Sequence, residues 1–264
     1  MNSLTVSALQ LDLAWENPTK NRKKIERMLL NGAPPSDIIV LPEMFTTGFT
    51  MASSSAYEEM GGDTYQWLEE MARQYNCLFL GSLIIKENDQ YYNRLLAVSE
   101  DGLLAQYDKR HLFRMANEDE NYTGGMDWVT FEYRGWKICP QICYDLRFPV
   151  WSRNKEEAHN QMSYDLLIYV ANWPAKRVHH WDTLLKARAI ENQAFVVGVN
   201  RVGTDGIDIP YVGHTAILSY VGDALAYSEN EENLLTATLR PEGIQKYRKS
   251  FPVWKDADNF SLSE

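Results

Sequence analysis

The plan of strands and helices in the first 110 residues returns, in the same order, after residue 136. Period-two alternation of apolar and polar side chains marks strands, and apolar spacings of three and four mark helices. By those rules the first half reads strand 4–11, helix 18–30, strand 37–41 and helix 64–75, then strands 77–85, 91–98 and 103–107. The second half reads strand 137–143, helix 150–161, strand 165–170 and helix 181–191, then strands 195–200, 212–219, 224–227 and 234–239. The likeness extends to letters. SDIIVLPEMF (36–45) resembles YDLLIYVANW (164–173), each an Asp leading a buried-type strand. RLLAVSEDGLLAQYDK (94–109) resembles TAILSYVGDALAYSE (215–229), two strands joined by a Gly/Asp turn. Any two α/β segments share some of this, so the duplication stands as an expectation.

Strands alternating with helices, followed by adjacent strands, imply mixed sheets with helices on their outer faces. Two such halves stacked sheet against sheet make an α/β fold of four layers, an α-β-β-α sandwich with an internal pseudo-two-fold repeat. No Pro/Gly/Ser linker divides the halves, and the charges are well mixed, so residues 1–264 are read as one domain. A chain of 264 residues buries enough core to need neither disulfides nor a metal. A formal charge of -10 lacks the basic face that sequence-independent nucleic-acid binding requires, although a local patch could hide within it. Three cysteines and no secretory signal point to a reducing, cytoplasmic compartment, and no apolar run reaches the ~20 residues of a membrane span.

Ligands in α/β sheets gather beyond the carboxyl ends of strands. Three polar strand ends stand out. Strand 37–41 runs into Pro42-Glu43, strand 103–107 into Asp108-Lys109-Arg110-His111, and the next half opens with a strand running into Cys143-Tyr144-Asp145. A thiol at a strand-to-helix elbow is well placed as a nucleophile, and the following N–H can point at an oxyanion. Amide hydrolysis needs a nucleophile, a base that returns its proton to the leaving nitrogen, and a cation or N–H donors for the oxyanion. Cys143, Glu43 and Lys109 could fill those roles. Taken singly, a buried Cys is more often inert, a Glu after a strand a solvated turn residue, and a Lys in DKRH a surface charge.

The words around these residues are more specific. LPEMF (41–45), YDKRHLF (107–113) and CYDLRFP (143–149), in that order and separation, resemble the signatures of the nitrilase, or carbon–nitrogen hydrolase, superfamily. ANWP (171–174), KARAIENQ (186–193) and NRVG (200–203) resemble it too, so the likeness covers nearly the whole chain. FPVWKDADNF (251–260) is similar to the bacterial omega-amidase, or 2-oxoglutaramate amidase, branch.

The resemblance implies the nitrilase fold and a set of roles. Glu43 matches the general base, Lys109 the oxyanion-stabilising lysine and Cys143 the nucleophile of a thioester mechanism. A second catalytic glutamate is expected ahead of Gly125; spacing favours Glu118, with Glu120 a rival in the same acidic run. Gly124 stands where the family carries Pro, which loosens the expectation for that turn. The Tyr144 N–H should join the oxyanion hole and Trp173 should line the substrate pocket, mirroring Glu43 in the repeat. The implied substrate is a short ω-amide with a free acid, 2-oxoglutaramate or 2-oxosuccinamate, and Arg114, Arg147 and Arg177 are candidates to hold the acid. No metal or organic cofactor is implied, nor any nucleic-acid or membrane partner. A homodimer or larger homo-oligomer is implied, with the tail at about 241–264 in the interface.

Several alternatives stay open on the sequence. Cys143 with His111 could form a papain-like pair, His179-His180 could hold a metal, and Cys139 with Cys143 a redox or metal pair. Carbamoylase, nitrilase and aliphatic amidase activities share the same catalytic set. A paralogue without activity that serves as a binding protein is a further class.

Overall fold

The computed structural model describes residues 1–157, 161–258 and 260–262. The strands in order are β1 (Leu4–Gln10), β2 (Ile38–Val40), β3 (Glu58–Glu59), β4 (Leu78–Glu87), β5 (Gln90–Ser99), β6 (Gly102–Asp108) and β7 (Phe131–Tyr133). Then come β8 (Trp136–Ile142), β9 (Leu166–Val170), β10 (Phe195–Val199), β11 (Val202–Thr204), β12 (Pro210–Leu218), β13 (Ala224–Glu229) and β14 (Asn233–Leu239). The α-helices are α1 (Pro18–Leu30), α2 (Ser53–Ala56), α3 (Asp63–Tyr75), α4 (Glu118–Asn121), α5 (Val178–Asn192) and α6 (Pro241–Ser250).

Period-two alternation sorts the side chains of the first sheet into two layers. Val6, Ala8, Ile38, Val40, Leu78, Leu80, Leu95 and Ala97 point to the core shared with the second sheet. Their neighbours Leu9, Ile39, Leu41, Phe79, Leu96 and Val98 point the other way, onto Ile25 and Leu29 of α1 and Trp67, Leu68 and Met71 of α3. On the far side of the molecule α5 covers β10 and β12 with Trp181, Leu185 and Ala189. The result is the expected helix–sheet–sheet–helix layering.

Each sheet has seven strands. The first runs β14-β1-β2-β4-β5-β6 with β3 beside β4; the second contains β7-β8-β9-β10-β12, with β11 and β13 both on β12. Position by position, β1, β2, β4, β5 and β6 correspond to β8, β9, β10, β12 and β13, which is the repeat read from the letters. The repeat is closed by an exchange: β14, from the end of the chain, crosses to pair antiparallel with β1. The two halves therefore interlock through the first sheet.

The local signals explain most element ends. Asn17 accepts the Lys20 N–H at 3.0 Å, and Pro18 occupies the first turn of α1, where a missing N–H leaves nothing unpaired. Both α3 and α5 stop on a left-handed residue, Asn76 and Gln193.

One expected helix is corrected. Residues 150–161 were expected to be helical, but 150–152 form turns and Glu156 makes an isolated bridge to Met162; residues 158–160 lie outside the described residues. Side chains take the place of the helix. Trp151 turns inward to donate to the Tyr107 hydroxyl at 2.9 Å, and the Asn154 amide donates to Tyr164 O and Asn192 O. Such bonds compete with a helical ladder. Beyond the expected elements the fold has α6, signalled by Pro241 at its first turn, and the strands β3, β7 and β11, too short to show alternation.

Candidate active site

The carboxyl ends of β2, β6, β8 and β9 meet at one end of the sheet pair. Two of these exits are sharp bends. Met44, directly after Glu43, has φ 44°, and Cys143 itself has φ 43°, the left-handed region that side chains other than Gly rarely occupy. The Met44 N–H donates to Ser82 Oγ at 2.8 Å, which holds the first bend. The second is held by Asp145, whose Oδ2 accepts the Ile142 N–H at 3.0 Å.

Lys109 leaves β6 and points into a fully buried cluster. Its Nζ donates to Glu43 Oε1 at 2.9 Å and to both oxygens of Glu118 at 2.9 Å each; all three residues have no exposed surface. Asn93, on the neighbouring strand β5, donates to Glu43 Oε1 at 2.8 Å and to Glu118 Oε1 at 3.3 Å. Glu118 also accepts the Phe113 N–H at 2.6 Å. The remaining oxygen of Glu43 accepts the Asn172 N–H at 2.8 Å, and the Asn172 side chain donates to the Glu43 carbonyl at 2.6 Å. Asn172 follows β9, so the ends of β2 and β9, equivalent in the repeat, are bonded to each other. Sγ of Cys143 lies 4.0 Å from the Asn172 carbonyl oxygen.

Electrostatics divide this cluster cleanly. Burial, reinforced by the Glu43 charge, pushes the Cys143 thiol well above its ordinary value, against the pull of Lys109. For Lys109 burial favours the neutral amine, but Glu118, Glu43 and Cys143 act the other way and win, so its ammonium is held above its ordinary value. Burial raises the Glu118 carboxyl against Lys109, and Glu43 adds to the rise. The environment thus favours the thiol form of Cys143 and the ammonium form of Lys109, with Glu43 held by the Lys109 ammonium, the Asn93 amide and the Asn172 N–H.

Cys143 opens on a cavity of about 590 Å³. Lys109, Asn172, Tyr144 and Trp173 line its floor, and Phe49, Phe113, Ile209 and Tyr211 contribute apolar walls. Arg147, Lys176 and Arg177 also line it, and none of the three is in a salt bridge among the described residues. Arg147 lies over the Trp173 ring at 4.7 Å and bonds His180 Nδ1 at 3.0 Å; Arg177 lies over the Phe113 ring at 5.2 Å. Burial, and the Arg177 charge, lower Arg147 below its ordinary value. Arg147 and Arg177 thus bring two guanidinium charges to the cavity lining without a carboxylate partner among the described residues.

Six site residues named from the sequence are thus brought together: Glu43, Lys109, Glu118, Cys143, Tyr144 and Trp173. Glu120 is exposed, so the acidic run contributes only Glu118 to the cluster. Arg114 is a correction among the arginines. It is exposed, pairs with Asp119 and does not line the cavity, because it sits in a tight turn directed to solvent. Arg147 does not pair with Asp145, whose oxygens are taken by other donors. His111 turns its imidazole to Asp145, away from the cavity lining, and Cys139 packs in the inter-sheet core. Asn93 and Asn172 were not among the site residues expected from the sequence. Asn93 carries no spacing signal and is placed by the register of β5, while Asn172 lies within the ANWP word and is brought to Glu43 by the packing of the two sheets.

The family profile "Carbon-nitrogen hydrolase" matches residues 5–249. An omega-amidase YafV of Yersinia enterocolitica is 46% identical over 264 residues, covering 99% of this chain and 100% of that protein. A 2-oxoglutaramate amidase of Bacillus subtilis is 34% identical over 255 residues, 96% of each. Among solved structures, XC1258 of Xanthomonas campestris superposes with a TM-score of 0.97 at 39% identity over 100% of both chains. It is described as a CN-hydrolase superfamily protein with an arsenic adduct in the active site. With a matching profile over most of its length and relatives alike from end to end, this chain belongs to the carbon–nitrogen hydrolase family, the nitrilase superfamily.

Proposed function

We propose that the protein is an omega-amidase that hydrolyses a short ω-amide bearing a free acid, 2-oxoglutaramate or 2-oxosuccinamate, to the acid and ammonia. The observation that carries the substrate class is the wall of Arg147 and Arg177. A molecule with a net charge of -10 repels an anionic substrate at long range, so binding one requires cations placed locally. Relatives named omega-amidase and 2-oxoglutaramate amidase support the same reading.

The mechanism uses the cluster as it stands. Glu43 takes the Sγ proton as the sulfur attacks the amide carbon, and the carbonyl electrons move onto oxygen. Lys109 and the Tyr144 N–H hold that oxyanion. The intermediate collapses, the C–N bond breaks, and the Glu43 proton leaves on ammonia. Glu43 then deprotonates a water that cleaves the thioester, and the thiol is restored. Glu118, two-pronged on Lys109, keeps the ammonium charged and aimed. Glu43, Lys109 and Glu118 are fully buried, and a low local dielectric strengthens each of these interactions.

The decisive measurement is ammonia release from a panel: 2-oxoglutaramate, a neutral analogue lacking the acid, a nitrile and a ureide. We expect kcat/KM for 2-oxoglutaramate to exceed the neutral analogue by at least about tenfold, the equivalent of one charge-assisted bond. Arg177→Met should erase that margin. Equal rates with both amides, or a faster nitrile or ureide, would sink the assignment.

The proposal includes a cytoplasmic homodimer built partly by residues 241–264. Three unpaired cysteines support the compartment, and Phe251 and Leu262, exposed in the single chain, support the interface. Among the described residues no helix is long and apolar enough to cross a membrane.

A further inference from the structure

Behind the reacting atoms sits a carboxylate that the mechanism does not use. Asp145 is fully buried, two residues after Cys143. Its Oδ2 accepts the Ile142 N–H at 3.0 Å and the Tyr107 hydroxyl at 2.7 Å. Its Oδ1 accepts the His111 N–H at 3.0 Å and lies 2.7 Å from His111 Nδ1. One carboxylate thus grips both flanks of Lys109, at positions 107 and 111, and the residue preceding Cys143. These residues come from different sheets: β6 and its exit belong to the first, β8 and the elbow to the second.

The partners of Asp145 are themselves fixed. The Tyr107 hydroxyl also accepts the Trp151 indole N–H at 2.9 Å, and the His111 ring stacks on Phe148 at 3.8 Å with planes 9° apart. All donors face the carboxylate, so an amide cannot replace it. An Asn would satisfy one side and turn its NH₂ against N–H or O–H donors on the other.

We infer that Asp145, with His111 and Tyr107, is a positioning unit that sets Lys109 against Cys143 across the sheet interface. Two demands meet there. The left-handed turn at Cys143 is a strained conformation and needs an outside tie; the Asp145–Ile142 bond is that tie. The Lys109 ammonium must stand where the oxyanion forms, and a displacement of about 1 Å in such a site costs on the order of 10²-fold in rate. The unit touches neither substrate nor sulfur, and it acts through the backbones it joins.

This inference rests on the amidase reading, and its test keeps the two apart. The variants are His111→Ala, His111→Asn, Tyr107→Phe and Asp145→Asn. For each, kcat and KM on the best amide, the rate of Cys143 alkylation by iodoacetamide and the melting temperature are measured. His111→Ala and Tyr107→Phe should lower kcat by about 10–100-fold with KM within about twofold, and should slow alkylation. His111→Asn, whose Nδ2 can donate where Nδ1 does, should recover most of the loss. Asp145→Asn should be the most impaired; should it fail to fold, the His111 pair still decides. A kcat and an alkylation rate within twofold of wild type in the folded His111→Ala protein would overturn the inference, leaving the unit a purely structural one. If the wild-type protein hydrolyses no amide, the functional reading fails, and alkylation alone decides on the unit: slower in His111→Ala and recovered in His111→Asn supports it, unchanged overturns it.

Discussion

At the scale of single residues, the site combines groups that would each be unfavourable alone. Lys109 without Glu43 and Glu118 would be an uncompensated buried charge, and the two carboxylates without it would repel each other. Cys143→Ala removes only a sulfur from a cavity wall, so circular dichroism and melting should match wild type while ammonia release falls to background. Lys109→Ala should cost on the order of 10²–10³ in kcat, as for loss of one oxyanion donor. A near-normal kcat would return Lys109 to a structural role. The remaining cysteines give a pH test. Burial pushes Cys77 and Cys139 up to about 12, from an ordinary 9.0. Both therefore stay protonated in the folded state while the unfolded chain ionises them. The folded state binds more protons above pH 9, so stability falls as pH rises from there towards 12. Cys139→Ala should flatten that alkaline fall in melting temperature. Native labelling at pH 8 should modify Cys143 alone, since it lines the cavity while Cys77 and Cys139 pack in the hydrophobic core.

At the scale of elements, the site depends on how closely strands and helices approach. Helix α5 carries His180 in its first turn, follows directly on Arg177 at its N-cap, and lies hard against β10 at Gly198. A Cβ there would stand 2.4 Å from Leu185 Cδ1 and 2.9 Å from a Trp181 ring carbon. Gly198→Ala should therefore cost about 1–3 kcal/mol by overpacking, read as a lower urea midpoint. The displaced helix would also carry Arg177 outward, so KM for the acid-bearing amide should rise while the neutral analogue is unaffected. Hairpin β11–β12 forms the opposite wall and is knotted by Asp205, which accepts the Ile207 and Ile209 N–H groups and the Tyr211 hydroxyl. Asp205 lines the cavity, but with its oxygens so occupied it shapes the wall instead of presenting a free charge.

At the scale of the whole molecule, the two halves are a repeat joined by an exchanged strand, and the chain beyond β14 folds back as α6 and its extension. Arg248 ties α6 to the second sheet through Asp165 at 2.6 Å, and the Gln193 amide donates to Phe251 O at 2.8 Å. On the proposed dimer, a chain ending at Ser250 keeps α6 and should run as a folded monomer in light scattering, where the full chain runs as a dimer. Equal masses for the two would remove the tail from the interface. Much of this protein was legible in its sequence. Alternation and helical spacing are local, and they placed the main strands, α1, α3 and α5 within a few residues. A strand that ends in Glu, Lys or Cys puts that side chain beyond the sheet whatever packs around it, so strand order made Glu43, Lys109 and Cys143 candidates, and the LPEMF, YDKRHLF and CYDLRFP words around them assigned their roles by resemblance. Contacts between distant segments were not legible. Asn93 meets Glu43 only because β5 takes its register beside β4 and β6, and Asn172 only because the end of β9 in the second sheet packs against the end of β2 in the first. Residues 150–157 lost their helix to Trp151 and Asn154 bonds reaching Tyr107 and Asn192, partners 44 and 38 positions away. The choice of Arg147 and Arg177 over Arg114 likewise belonged to the tertiary structure. All three carry the same charge, and only the packed walls decide which of them face the cavity.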